Sequence, residues 1–515
     1  MLTKRIALGV LAFGLSLTAG LATMAQPPAG AARGGPPAAP AAPPAPPSGA
    51  IVTTKSGQVQ GVLADGVNSF KGIPFAAPPV GDLRWKAPQP TASWKGVRIA
   101  NAPGPECGRQ EDCLYINVYI PEGTKPGAKL PVMYWIYGGG FTGGAGIGGF
   151  GVSHDGLQFA KKGVILVTEN YRLGRAGWFA HPALTKEAGK APTGNFGIMD
   201  QIAGLKWVQQ NINAFGGNPK DVTIFGESAG GISSLFLMLD PNAKGLFGKV
   251  IAESSFPRAV GTPLAVAEAY GTRAATANNI KGDGPEALAA LRKLPLSAFP
   301  ASTGTDDPQR AFPIADGKDI KWGIAEGFAG NHELKIPLII GGNSNEASYF
   351  RPQAADLDKR TDRRDALMAA FDPKKTGNKA QIINDLVTVE KMTEPDRNLA
   401  RAHAKNGNPT WQYYFTVITP AQRGRSMGAA HLAEVRYVFG TLGATPDPTD
   451  LATSQAVNAA WTAFAKYGTP GAAAGIDWPK FDPKGEQTLE FAIDGQHIRE
   501  HVLAAQSDYV EQALK

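Results

Sequence analysis

Five short, almost wholly apolar runs punctuate the chain: VMYWIY at 132–137, VILVT at 164–168, VTIF at 222–225, KVIAE at 249–253 and PLII at 337–340. Runs of this length without polar alternation are strands buried on both faces. That is the pattern of a parallel sheet covered by helices on each side. Helical stretches lie between them. Over 197–214, Ile198, Ile202, Leu205, Val208 and Ile212 recur at three- and four-residue spacing and form one apolar helix face. Alternating strand and helix predicts an α/β fold around a mostly parallel sheet. Regions 265–319 and 354–401 are richer in helix formers and charge. They predict helical insertions that gather at one end of the sheet and roof a site. No internal repeat is found.

Gly226-Glu227-Ser228-Ala229-Gly230 directly follows the third apolar run and fits G-x-S-x-G. The motif needs a serine on a sharp strand-to-helix turn, with glycines that let strand and helix approach closely. The helix beyond then aims backbone N–H groups at developing negative charge. Gly424-Arg425-Ser426-Met427-Gly428 also matches, but it follows Pro420-Ala421-Gln422-Arg423, which is no buried strand. Context therefore selects Ser228 as nucleophile and leaves Ser426 as a loop serine.

A serine needs a base to take its proton. In the order Ser, then acid, then His, five of the seven histidines follow Ser228: His332, His403, His431, His497 and His501. His332 leaves too little chain for an acid before it, and His497 and His501 lie past the last strong apolar segment. His403 and His431 both remain. For the acid, Glu346 stands just beyond the carboxyl end of the fifth apolar run, where catalytic groups of a parallel sheet collect. A helix N-terminal glutamate favoured by the dipole is the alternative reading. Gly138-Gly139-Gly140 follow the first apolar run, and consecutive glycines there let adjacent N–H groups meet one carbonyl oxygen. No Gly-Lys-Ser/Thr follows, which argues against a phosphate loop.

The N-terminus reads as an export signal over 1–25: Lys4 and Arg5, an apolar run from Ile6 to Leu21, then small residues ending at Ala25. A membrane anchor is the alternative, but the run is short for a span and ends in small residues, and no later segment reaches the roughly 18 apolar residues needed to cross a bilayer. Residues 26–49, nearly all Pro, Ala and Gly, form an extended linker, and 50–515 a single catalytic domain. Export leads to the periplasm or the medium. The two cysteines, Cys107 and Cys113, are then expected to pair, with two free thiols as the alternative. Without nearby histidines they are too few for a zinc site. The net charge of +7 is mild and no basic run carries interleaved aromatics, so no nucleic-acid surface is predicted.

Longer motifs resemble one family, the type-B carboxylesterases, which include the cholinesterases. They are FKGIPFAAPPVGDLRWKAPQPTASW at 70–94, EDCLYINV at 111–118, NYRLGRAG at 170–177, and the stretch 194–231 ending in GGNPKDVTIFGESAGG. The resemblance implies an α/β-hydrolase fold and hydrolysis of a small-molecule ester, with no cofactor or metal. It implies Ser228 as the acyl-enzyme serine, Glu346 as the acid and His431 as the base, because AAHLAEVRYVFG carries the family's His followed three residues later by Glu. That selects His431 over His403. It further implies Gly139, Gly140 and Ala229 as oxyanion donors, with Glu227 and Ser254 supporting the site. Amides, lactones and acyl transfer remain alternative chemistries, and a non-catalytic binding protein on the same scaffold a remoter one.

Three departures stand out. The loop between Cys107 and Cys113 has no room for the tryptophan that holds a quaternary ammonium in cholinesterases, so a choline site is not expected. Ser255 stands where the family usually has glycine. The glycine-rich run 143–151 reads as a mobile rim. The natural ester and the oligomeric state are left open.

Overall fold

The computed structural model describes residues 45–300 and 310–514. The expected export signal and most of the linker lie outside the described residues, whereas 45–515 group as one unit. Each of the five apolar runs becomes a strand of one eleven-stranded sheet. In chain order the strands are Val62–Ala64 (β1), Val67–Pro74 (β2), Tyr115–Pro121 (β3), Leu130–Ile136 (β4), Ile165–Glu169 (β5) and Gly217–Glu227 (β6). Then follow Lys249–Glu253 (β7), Leu338–Asn343 (β8), Thr410–Phe415 (β9), Thr488–Ala492 (β10) and Gly495–Arg499 (β11). Across the sheet they run β11-β10-β9-β8-β7-β6-β4-β5-β3-β2-β1.

Every neighbouring pair from β5 through β10 is parallel. Antiparallel strands finish both edges. The six strands with no fully apolar run are the ones the sequence pattern passes over. Polar residues interrupt them for local reasons: Asn117 in β3 donates to Thr168 Oγ1 at 3.0 Å and accepts from the Gly72 N–H at 3.0 Å.

The helix expected over 197–214 spans Phe196–Asn211 (α1) and tightens into a 3₁₀ turn, Ile212–Phe215, before Gly216 ends it in the left-handed region at φ 86°. All five residues of its predicted apolar face are buried. Each is worth roughly 2 kcal/mol of apolar burial against an extended chain. Ala229–Leu239 (α2) follows the nucleophile motif and is buried throughout. The insertions are helical as expected, with Leu264–Ala277 and Pro285–Lys293 in the first, and Arg364–Phe371, Lys379–Thr388 and Glu394–Lys405 in the second. Each has its own small core, one around Trp85, Leu288, Leu291 and Phe299, the other around Leu367, Ile382, Ile383 and Leu386. Cys107 and Cys113 form a disulfide. No helix of the described residues is long and apolar enough to cross a membrane.

Candidate active site

Ser228 sits between the last residue of β6 and the first of α2, at φ 54° and ψ −118°. A non-glycine residue held there is strained, and the surroundings over-determine it. Its N–H donates to the Glu253 carbonyl at 2.9 Å, and its own carbonyl accepts from Ile232 N at 2.8 Å. The flanking glycines have a steric cause. A Cβ on Gly226 would lie 2.6 Å from both the Gly230 carbonyl carbon and the Ile136 oxygen, and a Cβ on Gly230 would overlap that same oxygen. The second match, Ser426, lies in an irregular loop where its hydroxyl donates to the Gly428 carbonyl at 2.5 Å.

Glu346 is fully buried one turn beyond β8, and both its oxygens are occupied. Oε1 accepts from the Asn343 N–H at 2.7 Å and from the Ser254 hydroxyl at 2.6 Å. Oε2 faces His431 Nδ1 at 2.5 Å, which places the ring proton on Nδ1. The loops carrying Glu346 and His431 are tied together. Asn345 N–H donates to the Ala429 carbonyl at 2.8 Å, Ala429 N–H to Ser344 Oγ at 2.9 Å, and His431 N–H to Ser348 Oγ at 2.9 Å.

The other ring nitrogen, Nε2, stands 3.1 Å from Glu227 Oε1, at ion-pair distance but off the hydrogen-bond direction. Burial works to lower the His431 pKa, but the Glu227 and then the Glu346 carboxylate override it and raise it to about 9. Burial pushes Glu227 up to about 8. Gly138 makes room for this glutamate, because a Cβ there would overlap Glu227 Oε2.

The glycine stretch after β4 holds Gly139 at φ 109° and Gly140 at φ 60°. Their N–H groups have no partner among the described residues, and Ala229 is the first residue of α2, where N–H groups lack intrahelical acceptors. Gly139, Gly140, Ala229, Ser228 and His431 all line one cavity of about 1030 Å³. Its inner wall is apolar, with Phe141, Ile232, Phe256 and Phe312. Over the glycines, Gly148–Gly149 pairs with Val152–Ser153, and Phe150 at the tip is 66% exposed.

One participant outside the expected set is Glu434. It is buried, its Oε1 lies 3.3 Å from the Ser254 hydroxyl, and its Oε2 accepts from Asn343 Nδ2. Burial, and then Glu346, raise it to about 7. The motif around His431 contains Glu434, but only the folded chain shows that it shares Ser254 and Asn343 with Glu346. Ser255 carries no strain of its own. Positive φ falls on its neighbours Ser254 and Phe256, so glycine is not required at 255.

Known proteins resemble this chain over most of its length. The model of the carboxylesterase family matches residues 48–372 and 360–510. A fumonisin B1 esterase from Sphingopyxis macrogoltabida is 36% identical over 84% of this chain and 85% of its own. A para-nitrobenzyl esterase from Bacillus subtilis is 34% identical over 85% of this chain and 94% of its own. Among solved structures, a PNB esterase superposes with a TM-score of 0.75 at 31% identity, covering 89% of this chain and 99% of the other. A Geobacillus stearothermophilus carboxylesterase gives 0.76 at 29% identity over the same shares. The sheet and its helices are thus an α/β-hydrolase fold.

Proposed function

Because the chain belongs to the carboxylesterase family, we propose that it hydrolyses carboxylic esters through a covalent acyl-enzyme on Ser228. His431 takes the Ser228 proton as the hydroxyl attacks the ester carbonyl, then gives it to the leaving alcohol. Water attacks the acyl-enzyme with His431 again as base. Glu346 holds the imidazole proton on Nδ1 and stabilises the imidazolium that forms. The N–H groups of Gly139, Gly140 and Ala229 receive the oxyanion, each worth about 10²–10³ in turnover. Ser254 and Glu434 keep the Glu346 carboxylate in place, and Glu227 stabilises positive charge on the ring.

The observation that carries the reading is that Ser228 and His431 line one cavity, with Glu346 2.5 Å behind the ring. In the resting chain Nε2 is not hydrogen-bonded to Ser228, and such bonds commonly tighten only when substrate is bound. The test is hydrolysis of an aryl ester by Ser228→Ala. The expected result is loss of activity and of labelling by a fluorophosphonate probe, and undiminished hydrolysis overturns the assignment.

Export of the chain is a second part of the proposal. It rests on the basic-then-apolar start of the sequence and on the Cys107–Cys113 disulfide, a bond that persists in oxidising compartments. Sequencing the N-terminus of the mature protein tests it, with a start near Gln26 expected and a retained Met1 counting against it.

A further inference from the structure

The cavity has two chemically different ends. Near Ser228 its wall is apolar, whereas further out it holds five cationic side chains, Arg258, Arg310, Arg351, Arg360 and Lys391. Only two carboxylates, Glu227 and Glu390, line the same space. Arg360 is engaged by Glu390 at 2.9 Å, and Arg258 by Glu394 at 3.0 Å. Arg351 and Lys391 have no carboxylate partner among the described residues, and both are exposed. They share one wall. Arg351 ends the single helical turn Ala347–Phe350 that follows the acid, and the Lys391 ammonium lies 5.6 Å from the Phe350 ring centroid.

We propose that this wall is a carboxylate subsite, so that the substrate is an ester carrying a second, ionised carboxylate away from the scissile bond. This rests on the reading of the cavity as an esterase site. A neutral apolar ester gains nothing from two cations that lack a carboxylate partner. A carboxylate gains a planar two-point partner in Arg351 and a point charge in Lys391. The same electrostatics set where it sits. Near Ser228 the wall is apolar, and a carboxylate held there would lose its solvation, so the charge must be carried by a spacer to the cationic wall. Cationic walls around an apolar floor also concentrate anions at the mouth, an effect that salt screens.

The experiment compares matched esters on the full chain. One pair is 4-nitrophenyl hexanoate against mono-4-nitrophenyl adipate, which puts the charge on the acyl arm. The other is 4-acetoxytoluene against 4-acetoxyphenylacetate, which puts it on the alcohol arm. In one pair the carboxylate-bearing ester is expected to have a kcat/KM roughly tenfold higher, expressed in KM and falling with added salt. The double variant Arg351→Gln, Lys391→Gln is expected to bring that ratio near one, and Arg351→Glu, Lys391→Glu to invert it. Thermal melts of both variants check that they fold. Equal kcat/KM within both pairs, or a preference that survives the double glutamine variant, overturns the subsite. If Ser228→Ala abolishes hexanoate hydrolysis while no preference exists, only the subsite fails. If wild type cleaves none of the four esters, the esterase reading fails with it.

Discussion

His403 is buried and His431 is partly so, each against a buried glutamate, and only one of the two is placed to act as a base. His403 Nδ1 lies 3.2 Å from Glu333 Oε1, and its Nε2 lies 2.9 Å from the Ile336 carbonyl. Asn406 and Asn408 donate to the same Glu333 oxygen at 3.0 and 3.1 Å, and Phe328 covers the ring. Both nitrogens have acceptors and the ring is sealed from solvent, so this pair ties a helix end to a loop. In the pair of His431 with Glu346, only Nδ1 is hydrogen-bonded. Nε2 is left toward the cavity that holds Ser228. The candidate catalytic pair is the one whose second nitrogen carries no hydrogen bond and faces a cavity. The same geometry with that nitrogen satisfied is structural.

The contrast breaks most sharply on substitution of the two rings. His431→Gln should lower kcat about 10⁴-fold or more with little change in Tm. His403→Gln should do the reverse, costing about 3 kcal/mol in denaturant unfolding, because Glu333 loses a buried partner, while kcat of the folded fraction holds. Glu346→Gln is next, with kcat down about 10³–10⁴-fold because the ring tautomer is no longer held.

Acid separates the pairs by sign. Burial works to raise Glu333, but hydrogen bonds from His403 and Asn406 bring it down from 4.5 to about 2. Its folded pKa is depressed, so its stabilisation is complete above about 4.5 and lost as pH falls toward about 2. Glu333→Gln should flatten that window in acid-unfolding curves. His431 must be neutral to accept a proton. With its pKa raised to about 9, kcat/KM should climb through neutral pH toward that value. Glu227→Gln removes the largest raising influence, so the acid limb of the pH–rate profile should move to lower pH. The smallest effect belongs to the unused motif match. Ser426→Ala should leave kcat within about twofold, since its hydroxyl only closes its own loop.

Much of this was legible in the sequence. The five apolar runs and the α1 face marked the central strands and their covering helix, because burial on both faces or along one stripe leaves a pattern in the residues themselves. Ser228 was legible for the same reason, since a glycine-flanked serine after a buried strand has one steric use. Chain order alone left His403 and His431 level, and only the resemblance chose between them. Both meet buried glutamates that the local sequence does not identify as partners.

The sequence by itself determined the five apolar strands of the sheet, the glycine-flanked turn at Ser228 and the chemical types available, because these are local consequences of side-chain shape and apolar spacing. The tertiary structure alone decided what depends on distant segments meeting. It left His431 Nε2 facing a cavity while sealing His403, and it joined Glu434 to the acid through Ser254 and Asn343. It also set Arg351 and Lys391, 40 positions apart, on one wall of the space that holds Ser228.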